Sequence, residues 1–142
     1  MVNPNALKIL VVDDEPDFAA LVATTLRQEG FIVSVAHDGD EALRFVREEK
    51  PNLITLDIQM PKKSGLLFYR QLKSEAIYKD IPVVVITGLT RNDRDSETFI
   101  RSFLEVEHLP APNAYIEKPI ERETLIRVTN QVLNQTEVKT KE

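Results

Sequence analysis

Short, nearly unbroken runs of Val, Ile and Leu, each too brief for a buried helix, are the feature that most limits how this chain can fold. Four stand out: Leu7–Val12, Phe31–Ala36, Leu53–Leu56 and Ile81–Ile86. The first, third and fourth hardly alternate with polar residues, which is the pattern of strands covered on both faces. A weaker fifth run, Ala114–Ile116, lies just before Lys118-Pro119. Between the runs the apolar spacing lengthens to three and four residues, the period of an amphipathic helix. Phe18, Leu21, Val22, Thr25 and Leu26 mark one such face in Asp17–Gln28, and Ala42, Leu43 and Val46 mark another in Glu41–Glu49. Leu66, Leu67, Tyr69 and Leu72 mark a third in Leu66–Lys73. Phe99, Ile100, Phe103 and Leu104 form a fourth stripe, and Leu125, Ile126, Thr129, Val132 and Leu133 a fifth. Gly30, Pro51 and Gly65 stand where such helices end or begin.

Strands alternating with helices predict an α/β fold, a doubly wound five-stranded parallel sheet with helices on both faces and right-handed crossovers. The 142 residues suit one domain. We place it at 1–134, followed by a polar tail, Gln135–Glu142, that is expected to fray. No cysteine is present, which removes disulfides, thiolate metal sites and cysteine nucleophiles together. Eighteen basic residues against 23 acidic ones leave a net charge of -5 with no Lys/Arg block, so direct nucleic-acid binding is not expected. No apolar run is long enough to cross a bilayer and the first residues lack a secretion signal, so a cytoplasmic protein without a membrane partner is expected.

In open parallel α/β sheets, ligands bind beyond the carboxyl ends of the strands. The residues directly after each run are therefore informative. Asp13, Asp14 and Glu15 come after the first, Asp57 after the third, Thr87 and Gly88 after the fourth, and Lys118 and Pro119 after the fifth. With the first strand central, these side chains share one edge. Two carboxylates about 5 Å apart repel by roughly 3 kcal/mol at an effective dielectric near 20. One lysine does not offset three acids. An all-oxygen set without His or Cys favours a hard cation, Mg²⁺ first, with Mn²⁺ meeting the same demands. Singly, each residue has a plainer reading: Asp14 as a helix cap before Pro16, Asp57 and Thr87 as turn residues, Tyr115 as packing. Their joint occurrence at strand ends is what favours a site.

Asp13-Asp14, Asp57 followed by Met60-Pro61 and Gly65, Thr87-Gly88, and Tyr115 before Lys118-Pro119 together make the chain resemble the receiver domain of two-component response regulators, from Lys8 to about Leu133. The resemblance implies a flavodoxin-like strand order, 2-1-3-4-5. It makes Asp57 the phosphoacceptor, and Asp13, Asp14, Asp57 and the main-chain carbonyl of Gln59 the Mg²⁺ ligands. Lys118 would pair with a phosphoryl oxygen, and Thr87, next to Gly88, would bind another. Tyr115 would turn inward and reshape the face made by the fourth helix, fifth strand and fifth helix. The bond before Pro119 would be cis. The implied donor is a sensor histidine kinase or phosphotransfer protein, and the implied target an unnamed downstream protein; a phosphorylation-dependent homodimer is among the states allowed. Such a domain is a signalling phosphoacceptor that catalyses its own Mg²⁺-dependent phosphorylation and dephosphorylation, not a turnover enzyme.

Two features depart from the family pattern. The stretch from Thr87 to Tyr115 is long, with a charged segment, Arg91–Glu97, and then His108-Leu109-Pro110-Ala111-Pro112-Asn113; it either lengthens the fourth helix or adds a loop. Asn113-Ala114 stands where receivers often have Gly-Ala. The rival readings are weaker. A haloacid dehalogenase-like phosphatase needs a second Asp two residues after the nucleophile, and that position is Gln59. No glycine belongs to a phosphate-binding loop. A receiver-like interaction module that is never phosphorylated should have lost an acid, the Thr or the Lys, and all are retained. His37 and His108 are in no ligand spacing and are assigned no role.

Overall fold

The computed structural model describes residues 6–58, 64–88 and 97–141. Five strands and five helices alternate: β1 (Lys8–Val12), α1 (Pro16–Gln28), β2 (Ile32–Ala36), α2 (Gly39–Glu48), β3 (Leu53–Asp57), α3 (Ser64–Ser74), β4 (Val83–Thr87), α4 (Glu97–Val106), β5 (Ala114–Glu117) and α5 (Arg122–Lys141). The strands form one parallel sheet in the order β2-β1-β3-β4-β5. This is the expected doubly wound α/β sheet. β1, β3 and β4 occupy its interior, which is why their sequences read as unbroken apolar runs.

The pleat divides the core in two. Leu10, Val12, Ile54, Leu56, Val83 and Val85 pack with residues of α2, α3 and α4, Phe68, Tyr69, Leu72 and Ile100 among them. Ile9, Val11, Leu53, Val84 and Ile116 pack with Ala19, Val22, Leu26, Leu125 and Val132 of α1 and α5. Alternate residues of one strand point to opposite faces, so this parity continues to the strand ends, where the candidate site lies.

Two expectations about helix faces need correcting, and a third holds among the described residues. Leu21 is 57% exposed, and α1 instead buries Ala19, Val22, Ala23, Thr25 and Leu26. Leu67 is largely exposed, while Phe68, absent from the expected stripe, is fully buried. The α4 stripe is core at Ile100 and Leu104 and half-buried at Phe103; the side chain of Phe99 lies outside the described set. In α1 and α3 the apolar residues are too many for one stripe, and only the packed sheet decides which of them face inward.

Turn chemistry closes the helices. Gly30, at φ 96, ends α1: its amide donates to the Arg27 carbonyl, and the Phe31 amide donates to that of Leu26. This is a Schellman ending, with glycine at the left-handed position it favours. The end of α4 has the same pattern, but His108 takes that position at φ 56 while the Leu109 amide reaches back to Leu104. α2 starts at an Asp38 cap whose carboxylate accepts from the Glu41 amide. Of the two fates foreseen for the long segment before β5, the described part shows a ten-residue α4 followed by a connection over 107–113. That connection is tied down. The Tyr69 hydroxyl donates to the Pro110 carbonyl at 2.6 Å, and Asn113 exchanges two hydrogen bonds with the Val83 backbone. Most of Arg91–Glu97 lies outside the described residues. The backbone of α5 continues as helix through the stretch read as a tail, to Lys141.

Candidate functional site

β1 and β3 are hydrogen-bonded neighbours, with Val12 opposite Leu56, so the residue after β1 and the last residue of β3 come out side by side. These are Asp13, 1% exposed, and Asp57, 2% exposed. β5 lies one strand further across, beyond β4, and the residue just past its end is Lys118. The Lys118 ammonium donates to Asp57 Oδ2 at 2.9 Å. Residues 61 positions apart thus form a largely buried ion pair.

The environment of Asp13 is costly for a charge. Its Oδ1 accepts from the Glu15 amide at 2.9 Å, but its Oδ2 is buried without a hydrogen-bond partner. Burial pushes the Asp13 carboxyl up to about 7; the Glu15 amide pulls the other way, the adjacent Asp57 carboxylate adds to the rise, and Lys118 opposes it. Among the described residues, two carboxylates face one ammonium, an excess of negative charge in a buried place. A proton between them or an added cation would offset it. The donors are carboxylate oxygens, so a hard divalent ion fits this pair.

Asp14 is half-buried beside the pair. Among the described residues no group of three His, Asp or Glu side chains is gathered as a finished cation cage. Gln59, whose carbonyl was expected as a ligand, lies outside the described residues, as do Met60 and Pro61. The plain capping reading of Asp14 does not apply: the N-cap of α1 is Glu15, without a side-chain cap bond, and Pro16 opens the helix.

Thr87 and Tyr115 lie toward the other face. Thr87 continues the parity of Val83 and Val85, and Tyr115, opposite Val85, packs against the same cluster. The buried Thr87 hydroxyl makes a long 3.5 Å contact with the Ile116 carbonyl. Tyr115 is half-buried with the Arg101 guanidinium 5.6 Å from its ring centre. The link between the two faces is backbone: the Lys118 amide donates to the Thr87 carbonyl at 2.8 Å. Gly88, just after Thr87, is partly exposed at the same edge, and the Lys118–Pro119 peptide is cis.

Two residues that the sequence reading left without a role stand beside this site. Phe18, read only as part of the apolar face of α1, places its ring 4.2 Å from the Lys118 ammonium. His37, on the loop after β2, has Nδ1 3.3 Å from the Asp13 carbonyl oxygen. Nothing local in the sequence marks either contact, because both depend on strand order.

A family model described as the response regulator receiver domain matches residues 9–130. The chain is 30% identical over 126 residues to Protein PilH of Pseudomonas aeruginosa, covering 89% of this chain and 97% of that protein. It is 40% identical over 83 residues to the DNA-binding response regulator MtrA of Mycolicibacterium smegmatis, covering 58% of this chain and 35% of MtrA. The chain spans about a third of the length of MtrA and of several other curated relatives it matches. Among solved structures, the receiver domain of NtrX from Brucella abortus superposes with a TM-score of 0.72 at 32% identity, over 89% of this chain and 98% of that one.

Proposed function

The chain belongs to the response regulator receiver family, whose members signal by phosphorylation, and we propose that Asp57 is its phosphoacceptor. The observation that carries this is the Asp13–Asp57–Lys118 cluster: two buried carboxylates and one ammonium at the carboxyl edge of the sheet. An Asp57 oxygen attacks phosphorus in line. The new O–P bond forms as the bond to the donor's leaving group breaks, and the electron pair departs with that group. On a phosphohistidine donor the leaving group is an imidazole nitrogen, and the product on the protein is an acyl phosphate.

The residues supply position and charge, which is most of what catalysis of phosphoryl transfer requires. Asp13, Asp14, Asp57 and the Gln59 carbonyl are the proposed Mg²⁺ holders, with Mn²⁺ as a substitute. The ion, when bound, neutralises charge between the acids and the incoming phosphoryl oxygens. Lys118 exchanges its Asp57 oxygen for a phosphoryl oxygen. Thr87, released from its weak 3.5 Å contact, binds another, and Tyr115 follows it inward, changing the face of α4, β5 and α5. This shifts an existing two-state equilibrium. The domain thereby catalyses its own phosphorylation and dephosphorylation and is not a turnover enzyme.

The proposed donor is a sensor histidine kinase or a phosphotransfer protein, and the proposed target a downstream protein; a phosphorylation-dependent homodimer is an allowed state. Among the described residues no helix is long and apolar enough to cross a membrane, and we read the site of action as the cytoplasm. The test is intact mass after incubation with Mg²⁺ and a small phosphodonor. The expected result is a gain of one phosphoryl group that Asp57→Asn lacks. Folded wild-type protein of unchanged mass would support a passive interaction module instead.

A further inference from the structure

Among the described residues, a carboxylate and an aromatic ring both approach the Lys118 ammonium closely. On one side is Asp57 Oδ2 at 2.9 Å; on the other is the ring of Phe18, with its centre 4.2 Å away. Phe18 lies in the first turn of α1, directly after the loop that carries Asp13, and it packs with the cluster beneath the α1 and α5 face. The lysine side chain is 20% exposed, so the ammonium has exchanged much of its water for a carboxylate and a ring face. A cation over an aromatic face is held electrostatically, and more strongly where water is reduced.

We propose that Phe18 is a positioning residue for phosphoryl transfer: its ring holds the Lys118 ammonium at the height of the phosphoacceptor, so that the charge stays in place when Asp57 is esterified. The inference rests on the assignment of Asp57 as phosphoacceptor and Lys118 as its phosphoryl partner. The carboxylate that now anchors the ammonium loses its charge on becoming an acyl phosphate. The ring does not change. It keeps the lysine from swinging into solvent while the contact passes from Asp57 to the phosphoryl group. An aliphatic side chain of similar bulk would fill the same space without attracting the cation.

The test compares Phe18→Leu, which keeps an apolar filler, with Phe18→Tyr, which keeps the ring face. Phosphorylation by a small phosphodonor at saturating Mg²⁺ is expected to slow about five-fold in Phe18→Leu and to stay within about two-fold of wild type in Phe18→Tyr, the size of a partly desolvated cation–π contact. In a Lys118→Ala background the leucine substitution is expected to have no further effect. Equal slowing with Lys118 present or absent, or a tyrosine variant as slow as the leucine one, would overturn the proposal, because either would mean Phe18 acts only as packing. A second measurement does not depend on phosphorylation. Exchange of the Lys118 ammonium protons with water, followed by ¹⁵Nζ NMR in the unphosphorylated protein, is expected to quicken several-fold in Phe18→Leu and not in Phe18→Tyr. Unchanged exchange in Phe18→Leu would also overturn it. If wild type takes up no phosphoryl group while this exchange pattern holds, the phosphoacceptor reading fails and the placement of Lys118 by Phe18 stands.

Discussion

The Lys118 ammonium lies 2.9 Å from Asp57 Oδ2, pairing a side chain just past β5 with the last residue of β3, two strands away. The pair is largely shielded, and Asp13 stands beside it with one oxygen unsatisfied. The contact leaves a net negative cluster, and the site's response to substitution depends on that imbalance and on the fixed geometry around it.

Replacing Lys118 by Ala removes the sole cation from the described cluster and leaves the acids to the metal alone. Mg²⁺ affinity is expected to stay within a few-fold of wild type, while phosphorylation no longer moves Tyr115. Tyrosine fluorescence or ¹⁹F NMR of fluorotyrosine at position 115, recorded with and without phosphodonor, checks this. A normal phosphorylation-dependent change at Tyr115 in the variant would refute the assigned role.

Asp13→Asn removes one of two like charges and lets an amide occupy the buried position. In the metal-free protein we expect stability to rise by about 1–3 kcal/mol, the scale of repulsion between near carboxylates at an effective dielectric near 20. Mg²⁺ binding should weaken in the same variant. Urea unfolding in chelator, paired with Mg²⁺ titration, reads both effects. Loss of stability together with unchanged metal affinity would contradict the account.

His108 takes the left-handed position that ends α4, at φ 56, where a side chain costs energy and glycine does not. His108→Gly is expected to stabilise the fold by about 0.5–1 kcal/mol, less than the full conformational relief because glycine also loosens the unfolded chain. Thermal unfolding is the measurement. A clear drop in Tm would mean that the imidazole makes a contact worth more than the backbone relief.

Lys73 is half-buried, with Nζ donating to the Lys79 and Ile81 carbonyls and standing over the Tyr69 ring. Burial lowers its pKa to about 8 from 10.5, with Asp80 opposing the shift. Between those values the unfolded chain holds a proton that the folded one lacks, so this group adds stability as pH rises from about 8 toward 10.5. The difference in Tm between wild type and Lys73→Met should therefore move in favour of wild type over that window. A constant difference across it would rule out titration of Lys73.

The strands, their order along the chain and the acids, hydroxyl and lysine at their ends were legible because each signal is local: an apolar run, a change of period, a charge directly after a buried stretch. The apolar face of α1 was misread at Leu21, and Phe68 was missed in α3, because helices richer in apolar residues than one stripe needs leave the inward face to the packing partner. Phe18 was legible only as a core residue. Its contact with Lys118 joins the first and last quarters of the chain, and no spacing in the sequence encodes that approach.

By itself, then, the sequence determined the alternation of strands and helices and the chemistry waiting at each strand end, since periodicity and turn preference act over a few residues. Tertiary structure decided which of those groups meet. Strand order brought Asp13 beside Asp57, pleat parity set Thr87 and Tyr115 toward the opposite face from Asp57, and the seat of α1 on the sheet put an aromatic ring against the lysine. These are distances across the sheet, and they exist only once burial of both faces has fixed the register.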